Sequence, residues 1–151
     1  MPILTLFSLP KAFDKKHIDM IQTNAISSWS KFKPEVDIII LGDDKGVKEV
    51  AGDFGCRHIG NIATNRYGTP LLSDIFRKAK RCAKTDHICY INSDIILLPD
   101  FIGCVKRVIE TKLEDYLIVG QRYTIEINEL RNFKDTCGAN NLKKIILQED
   151  K

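Results

Sequence analysis

Apolar blocks alternate with amphipathic stretches along most of this chain. Ile3 to Ser8 (ILTLFS) is nearly unbroken apolar sequence and reads as a strand. Pro10 to Lys16 is a loop, and His17 to Trp29 then places Ile18, Ile21, Ala25, Ile26 and Trp29 at helical spacing. Pro34 separates that helix from Val36 to Leu41 (VDIIIL), a run apolar enough for a strand covered on both faces. A turn, Gly42 to Gly46, leads to a short helix from Val47 to Asp53, closed by Gly55. Cys56 to Ile59 predicts a short strand, Gly60 to Pro70 a loop, and Leu71 to Ala83 a helix through Leu72, Ile75, Phe76 and Ala79.

Ile88 to Ile91 is the next strand, with Ile95 to Leu98 a short crossing strand behind it. Pro99 opens a helix from Phe101 to Thr111, with Asp100 placed to cap it. Tyr116 to Val119 predicts a further strand, and the alternation in Tyr123 to Ile127 (YTIEI) an edge strand. Asn128 to Phe133 reads as a helix start, and Asn140 to Lys151 as a short helix or a frayed tail. Strand-helix repetition of this kind predicts an α/β fold: three α/β/α layers around a mainly parallel sheet.

The 151 residues fit one domain with a real core, and no internal repeat or second domain is visible. A formal charge of +3, spread in short knots such as Arg77 to Arg81, is too small to point to nucleic acid. The five cysteines show no CxxC pair and no zinc spacing, and their odd number fits a reducing compartment. Cys89 and Cys104 sit in apolar surroundings and read as small core residues. The N-terminus carries no signal-peptide pattern and no apolar run is long enough to span a membrane, so the expectation is cytoplasmic.

Candidate chemistry gathers where strands end. In a parallel sheet, ligands sit beyond the carboxyl ends of the strands. Three such ends carry polar sequence: Ser8, Leu9 and Pro10 after the first strand, Asp43 and Asp44 after the second, and Asn92, Ser93 and Asp94 after the fourth. A buried aspartate without a partner is costly, so Asp94 is either solvated or used. Carboxylate oxygens beside a bound pyrophosphate suit Mg²⁺ or Mn²⁺. The structural alternative makes Asp43 and Asp44 turn residues and Asp94 a cap on a local kink.

Absent motifs narrow the field. No G-x-G-x-x-G follows the first strand, no phosphate loop ends in Gly-Lys-Ser/Thr, and no G-x-S-x-G elbow occurs. His17, His58 and His87 lack an acid partner at local spacing and read as surface or structural residues.

The strand-end aspartate, taken with its surroundings, resembles the DxD region of nucleotide-sugar glycosyltransferases of the GT-A fold. Asn65-Arg66-Tyr67-Gly68-Thr69-Pro70-Leu71-Leu72 is similar to an N-x-[FY]-G-T-P-L segment in small GT-A-like proteins. Tyr90-Ile91-Asn92-Ser93-Asp94-Ile95 resembles their metal-site strand, and Gly120-Gln121-Arg122 their G-x-R. The resemblance spans roughly Ile3 to Ile127 and implies a Rossmann-like nucleotide-binding half. It implies that Asp94 binds a divalent cation, Mn²⁺ or Mg²⁺, bridging the pyrophosphate of a nucleotide-sugar donor. Ser8, Leu9 and Pro10 would lie along the nucleoside, Asp43 or Asp44 would face the base or ribose, and Asn65 and Arg66 would line the donor pocket. Asn92 and Ser93 would complete the site.

Two departures bear on activity. Asn92 stands where the motif has its first aspartate, which weakens a cation site by one carboxylate. The acceptor elements and catalytic base of such enzymes follow the nucleotide half, and little sequence remains after Arg122. Glu126 and the Asp135 to Gly138 region offer carboxylates without a context that names a base. The chain reads as a domain cut short after about residue 127, a minimal form that completes its site by oligomerising, or a domain that has lost activity. The implied function is sugar transfer to an unknown acceptor. The alternative is a non-catalytic GT-A-like module that binds a nucleotide or a protein, and edge strands leave room for a homo-oligomer. A nucleotidyltransferase is disfavoured because residues 8–16 lack a glycine- and arginine-rich triphosphate loop.

Overall fold

Four of the apolar runs become strands of one parallel sheet. In the computed structural model, which describes residues 1–133 and 136–149, these are β1 (Leu4–Ser8), β2 (Val36–Leu41), β3 (Arg57–Ile59) and β4 (Ile88–Tyr90). The sheet order is β3-β2-β1-β4. β1 is central, with Leu4 opposite Val36 on one side and Thr5 opposite Ile88 on the other. All five of its residues are buried, as a strand covered on both faces requires.

Helices α1 (Lys16–Ser30), α2 (Val47–Asp53), α3 (Leu72–Cys82), α4 (Asp100–Glu110) and α5 (Thr136–Glu149) complete the element order. Alternation along the strands divides the core in two. Leu4, Leu6, Val36, Ile38 and Ile40 face Ala25, Ile26 and Trp29 of α1 and Val47 and Ala51 of α2. Phe101, Ile102 and Val105 of α4 pack against the same side. Phe7, Ile39 and Leu41 face the other way, onto Ile75 and Ala79 of α3. The result is a three-layer α/β/α sandwich with a parallel sheet, as the sequence pattern predicts.

The crossing direction reverses after β3. β1, β2 and β3 step outward in turn, and the chain then returns over the opposite face to lay β4 against the free side of β1. The strand order therefore reverses between β1 and β4, a topological switch point, and open α/β sheets hold ligands beyond the carboxyl ends of the strands there.

Several sequence expectations are corrected. Residues 116–119 and 123–127 form no strand, although Leu117 and Val119 are 89% and 83% exposed and β-prone. A strand needs a ladder partner, and β4 pairs with β1 alone among the described residues. Residues 95–98 form no strand either. Their backbone is held by α1 side chains: the Trp29 indole donates to the Ile95 carbonyl at 2.8 Å and the Leu97 N–H donates to Ser28 at 3.0 Å. Asp100 does not cap α4 but is its first helical residue, with Pro99 at the cap position; Lys143 of α5 lies 3.6 Å from its carboxylate. Residues 128–133 are not helical, and the last helix begins at Thr136 rather than Asn140. Cys104 is exposed rather than core, with the Arg107 guanidinium 3.2 Å from its sulfur. Asp135, Asp150 and Lys151 lie outside the described residues.

Asp74, in the first turn of α3, pins the loop of residues 60–71. Its side chain is 4% exposed. It accepts the Ala63 N–H at 2.7 Å and pairs with Arg77 and Lys78. The Ala63 bond first, then Arg77 and Lys78, hold its carboxyl down at about 2 against the opposing effect of desolvation. A depressed folded pKa gives stability that is present above the unfolded value and lost as pH falls. Asp74→Asn is therefore expected to melt below the wild type at neutral pH. The gap should close as pH drops from about 4 towards about 2. Thermal melts of both proteins across that range check this, and a gap that stays constant would refute it.

Candidate functional site

A cleft of about 340 Å³ opens at the switch point. That volume is at the low end for small-molecule sites, roughly 300–1,000 Å³. Leu9 and Lys11 come to it from the loop after β1, Gln22 from α1, Tyr90 from the end of β4, and Asn92 and Asp94 from the turn beyond. Of the three strand ends that carry polar sequence, the cleft brings together those of the first and fourth, and the second lies elsewhere.

Two buried ties hold the strand ends. The Ser8 hydroxyl donates to the Ile91 carbonyl at 2.7 Å, so Ser8 joins β1 to β4 and does not face the cleft. Pro10 is also buried. Gln22, 2% exposed, makes the second tie. Its carboxamide oxygen accepts the Lys11 N–H at 2.7 Å and the Ser93 hydroxyl at 3.0 Å. Its nitrogen donates to the Lys11 carbonyl at 3.0 Å.

The Asn92–Ser93–Asp94 turn is closed by the Ile95 N–H on the Asn92 carbonyl at 3.2 Å. Ser93 points inward, while Asn92 and Asp94 are exposed. Neither Asp94 nor Lys11 joins an ion pair among the described residues. The cleft thus offers one carboxylate and one ammonium that the fold itself does not neutralise. Tyr90 forms its wall and packs against Phe7 and Phe76, with centroids 5.5 Å from each. Burial, and then the Asp94 charge, raise the Tyr90 phenol above its ordinary value, so it remains a neutral donor.

The other expected site residues lie elsewhere. Asp43 turns to the loop after β3 and accepts the Asn61 N–H at 2.5 Å. The approach is so close that a Cβ on Gly60 would come 2.2 Å from the Asp43 carboxylate, which explains the glycine. Asp44 is exposed in the turn before α2, with its carbonyl taking the Val47 N–H at 3.1 Å. The Asn65 carboxamide oxygen accepts the Tyr67 and Thr69 N–H groups at 2.9 and 3.0 Å, organising the tip of its own loop. Arg66 lies over the Tyr67 ring at 4.6 Å, and both are exposed. Asp43, Asp44, Asn65 and Arg66 do not line the cleft. Gly120, Gln121 and Arg122 are exposed, and Glu126 accepts a bond from the Asn128 side chain at 3.2 Å.

Two histidines are engaged structurally: His58 with the Gly42 carbonyl at 2.7 Å and His87 with the Tyr116 hydroxyl at 2.6 Å. Among the described residues, no group of three or more His, Cys, Asp or Glu could hold a metal ion. No helix there is long and apolar enough to cross a membrane.

Sequence reasoning missed the buried polar side chains of α1. Gln22, Asn24 and Ser28 are 2%, 1% and 2% exposed. Asn24 clasps the later chain, donating to the Glu129 carbonyl at 2.9 Å and accepting the Arg131 N–H at 2.7 Å. The available signal was Gln22 itself, a polar residue on the apolar stripe between Ile18 and Ala25. No protein-family model and no curated protein matches the chain.

Proposed function

We propose that the switch-point cleft binds the diphosphate of a nucleotide ligand together with a divalent cation, and that the ligand is a nucleotide-sugar donor. The observation that carries this reading is the pairing, in one cleft at the sheet's switch point, of a carboxylate and an ammonium that the fold leaves unneutralised. Asp94 and the Asn92 carboxamide supply two oxygen-bearing groups. That is too few for an all-protein cage, but it fits Mg²⁺ or Mn²⁺, which is commonly held by one or two carboxylates with substrate phosphates and water. The bound cation would offset negative charge on a departing diphosphate. Lys11 is the point charge for the phosphate oxygens, and Tyr90 offers an apolar face with a polar tip.

The resemblance to GT-A glycosyltransferases supplies the sugar. The transfer step also needs an acceptor site and a base; donor binding is the primary activity proposed for this chain. Titration calorimetry of the purified chain against nucleoside diphosphates and nucleotide sugars, with and without Mn²⁺, tests it. Binding of one nucleotide class that strengthens with Mn²⁺ is the expected result. No binding to any of them, with or without metal, would overturn the assignment.

A further inference from the structure

We propose that Gln22 is the positioning residue of this cleft. It fixes the loop after β1 against the turn after β4, so that the Lys11 ammonium and the Asp94 carboxylate meet one diphosphate; the inference rests on the donor-site reading above.

The geometry is specific. A primary carboxamide has one oxygen acceptor group and one nitrogen donor group. Gln22 spends both on the main chain of Lys11, accepting its N–H at 2.7 Å and donating to its carbonyl at 3.0 Å. The same oxygen takes the Ser93 hydroxyl at 3.0 Å. Lys11 and Ser93 are 82 positions apart in sequence, and this one side chain of α1 joins them. With Gln22 almost fully buried, water does not replace these bonds readily, so losing the carboxamide leaves polar groups unpaired.

Packing alone does not ask for a glutamine. Position 22 lies on the apolar stripe of α1, and Ile18 and Ile21 beside it also border the cleft. An aliphatic side chain would continue that stripe. What only a carboxamide supplies is the registry between Lys11 and the Asn92–Asp94 turn. A cation-diphosphate site depends on such registry, because a displacement of about 1 Å of a ligating group is enough to weaken it.

The test is calorimetric titration of UDP and GDP, with and without Mn²⁺, into the wild type, Gln22→Met, Ser93→Ala and the double variant. Methionine keeps the length and helix propensity of glutamine without its hydrogen bonds. Gln22→Met is expected to bind about tenfold more weakly with Mn²⁺ present, and the factor by which Mn²⁺ strengthens binding should shrink. Ser93→Ala should weaken binding by a smaller factor, and the double variant should lose less than the product of the two. A purely structural role would lower the melting temperature and leave the Mn²⁺ factor of the folded protein unchanged.

Wild-type affinity and Mn²⁺ factor in a folded Gln22→Met protein would overturn the inference while leaving the donor site standing. If Gln22→Met does not fold, Ser93→Ala decides, because it removes only the bond to the turn: an unchanged Mn²⁺ factor refutes the inference and a reduced one supports it. Absence of wild-type binding to UDP, GDP and every other nucleoside diphosphate and nucleotide sugar of the panel overturns the donor-site reading instead, and this inference with it.

Discussion

Asp94→Ala is expected to weaken Mn²⁺-dependent binding of the nucleoside diphosphate about a hundredfold, about 2.7 kcal/mol, and to leave the fold as stable as before. The two halves of that expectation have separate causes. Asp94 is exposed and makes no hydrogen bond or ion pair among the described residues, so the folded chain loses nothing when it is removed. Among the described residues it is the one carboxylate lining the cleft, so the proposed cation loses the anionic ligand these residues give it. A surface substitution of this kind normally changes stability by less than about 0.5 kcal/mol.

The Tyr90 phenol gives an independent readout without ligand. Burial is the larger cause of its raised pKa and the Asp94 charge the second. Asp94→Ala should therefore lower the Tyr90 pKa part of the way to its ordinary value, as ultraviolet titration of the phenols would show. Asn92→Asp should act in the opposite direction on the cation, adding a carboxylate beside Asp94 and tightening Mn²⁺ about tenfold. Equal affinities in the wild type and Asp94→Ala, with Mn²⁺ present, would remove Asp94 from the site.

The sheet was legible because its strands are extreme. β1 and β2 are buried on both faces along nearly their whole length, and a chain segment in that position runs apolar for most of its residues. Helices α1 to α4 were legible to within a residue or two, since each turns an apolar stripe to the sheet. Residues 116–119 misled for the same reason that β1 did not. Their composition is β-prone, but strand formation belongs to a pair of segments, and this one joins no ladder among the described residues.

The site was half legible. Asp43 and Asp94 are both acidic residues just beyond a strand, and nothing local separates them. The difference lies in the neighbours: Asp43 meets the Asn61 N–H, 18 positions away, while Asp94 opens into the cleft. Gln22 and Asn24 were hidden because their partners lie as far as 71 and 107 positions along the chain. A polar residue on a helix's apolar stripe reads as an interruption until the chain that returns to it is known. Here Gln22 ties the two sides of the cleft, and Asn24 fastens residues 129–131 to α1.

Trp29→Ala is expected to cost about 3–5 kcal/mol, a large share of the roughly 5–15 kcal/mol that holds a domain of this size together. Trp29 is fully buried, and its ring sits where α1 meets Leu4, Leu6, Val36 and Ile38. Truncation removes both the apolar area and the indole donor. Trp29→Phe separates the two contributions. It keeps most of the ring volume but leaves the Ile95 carbonyl without the N–H now 2.8 Å away. That loss should cost about 1–3 kcal/mol with the core otherwise filled. Urea unfolding followed by circular dichroism measures both variants, because Trp29 is the chain's one tryptophan and its fluorescence disappears with it. Ile95 directly follows Asp94, so Trp29→Phe should also loosen the turn and weaken Mn²⁺-dependent nucleotide binding, by less than Asp94→Ala does. A Trp29→Phe protein as stable as the wild type would show that the indole bond adds nothing and that packing alone fixes this helix.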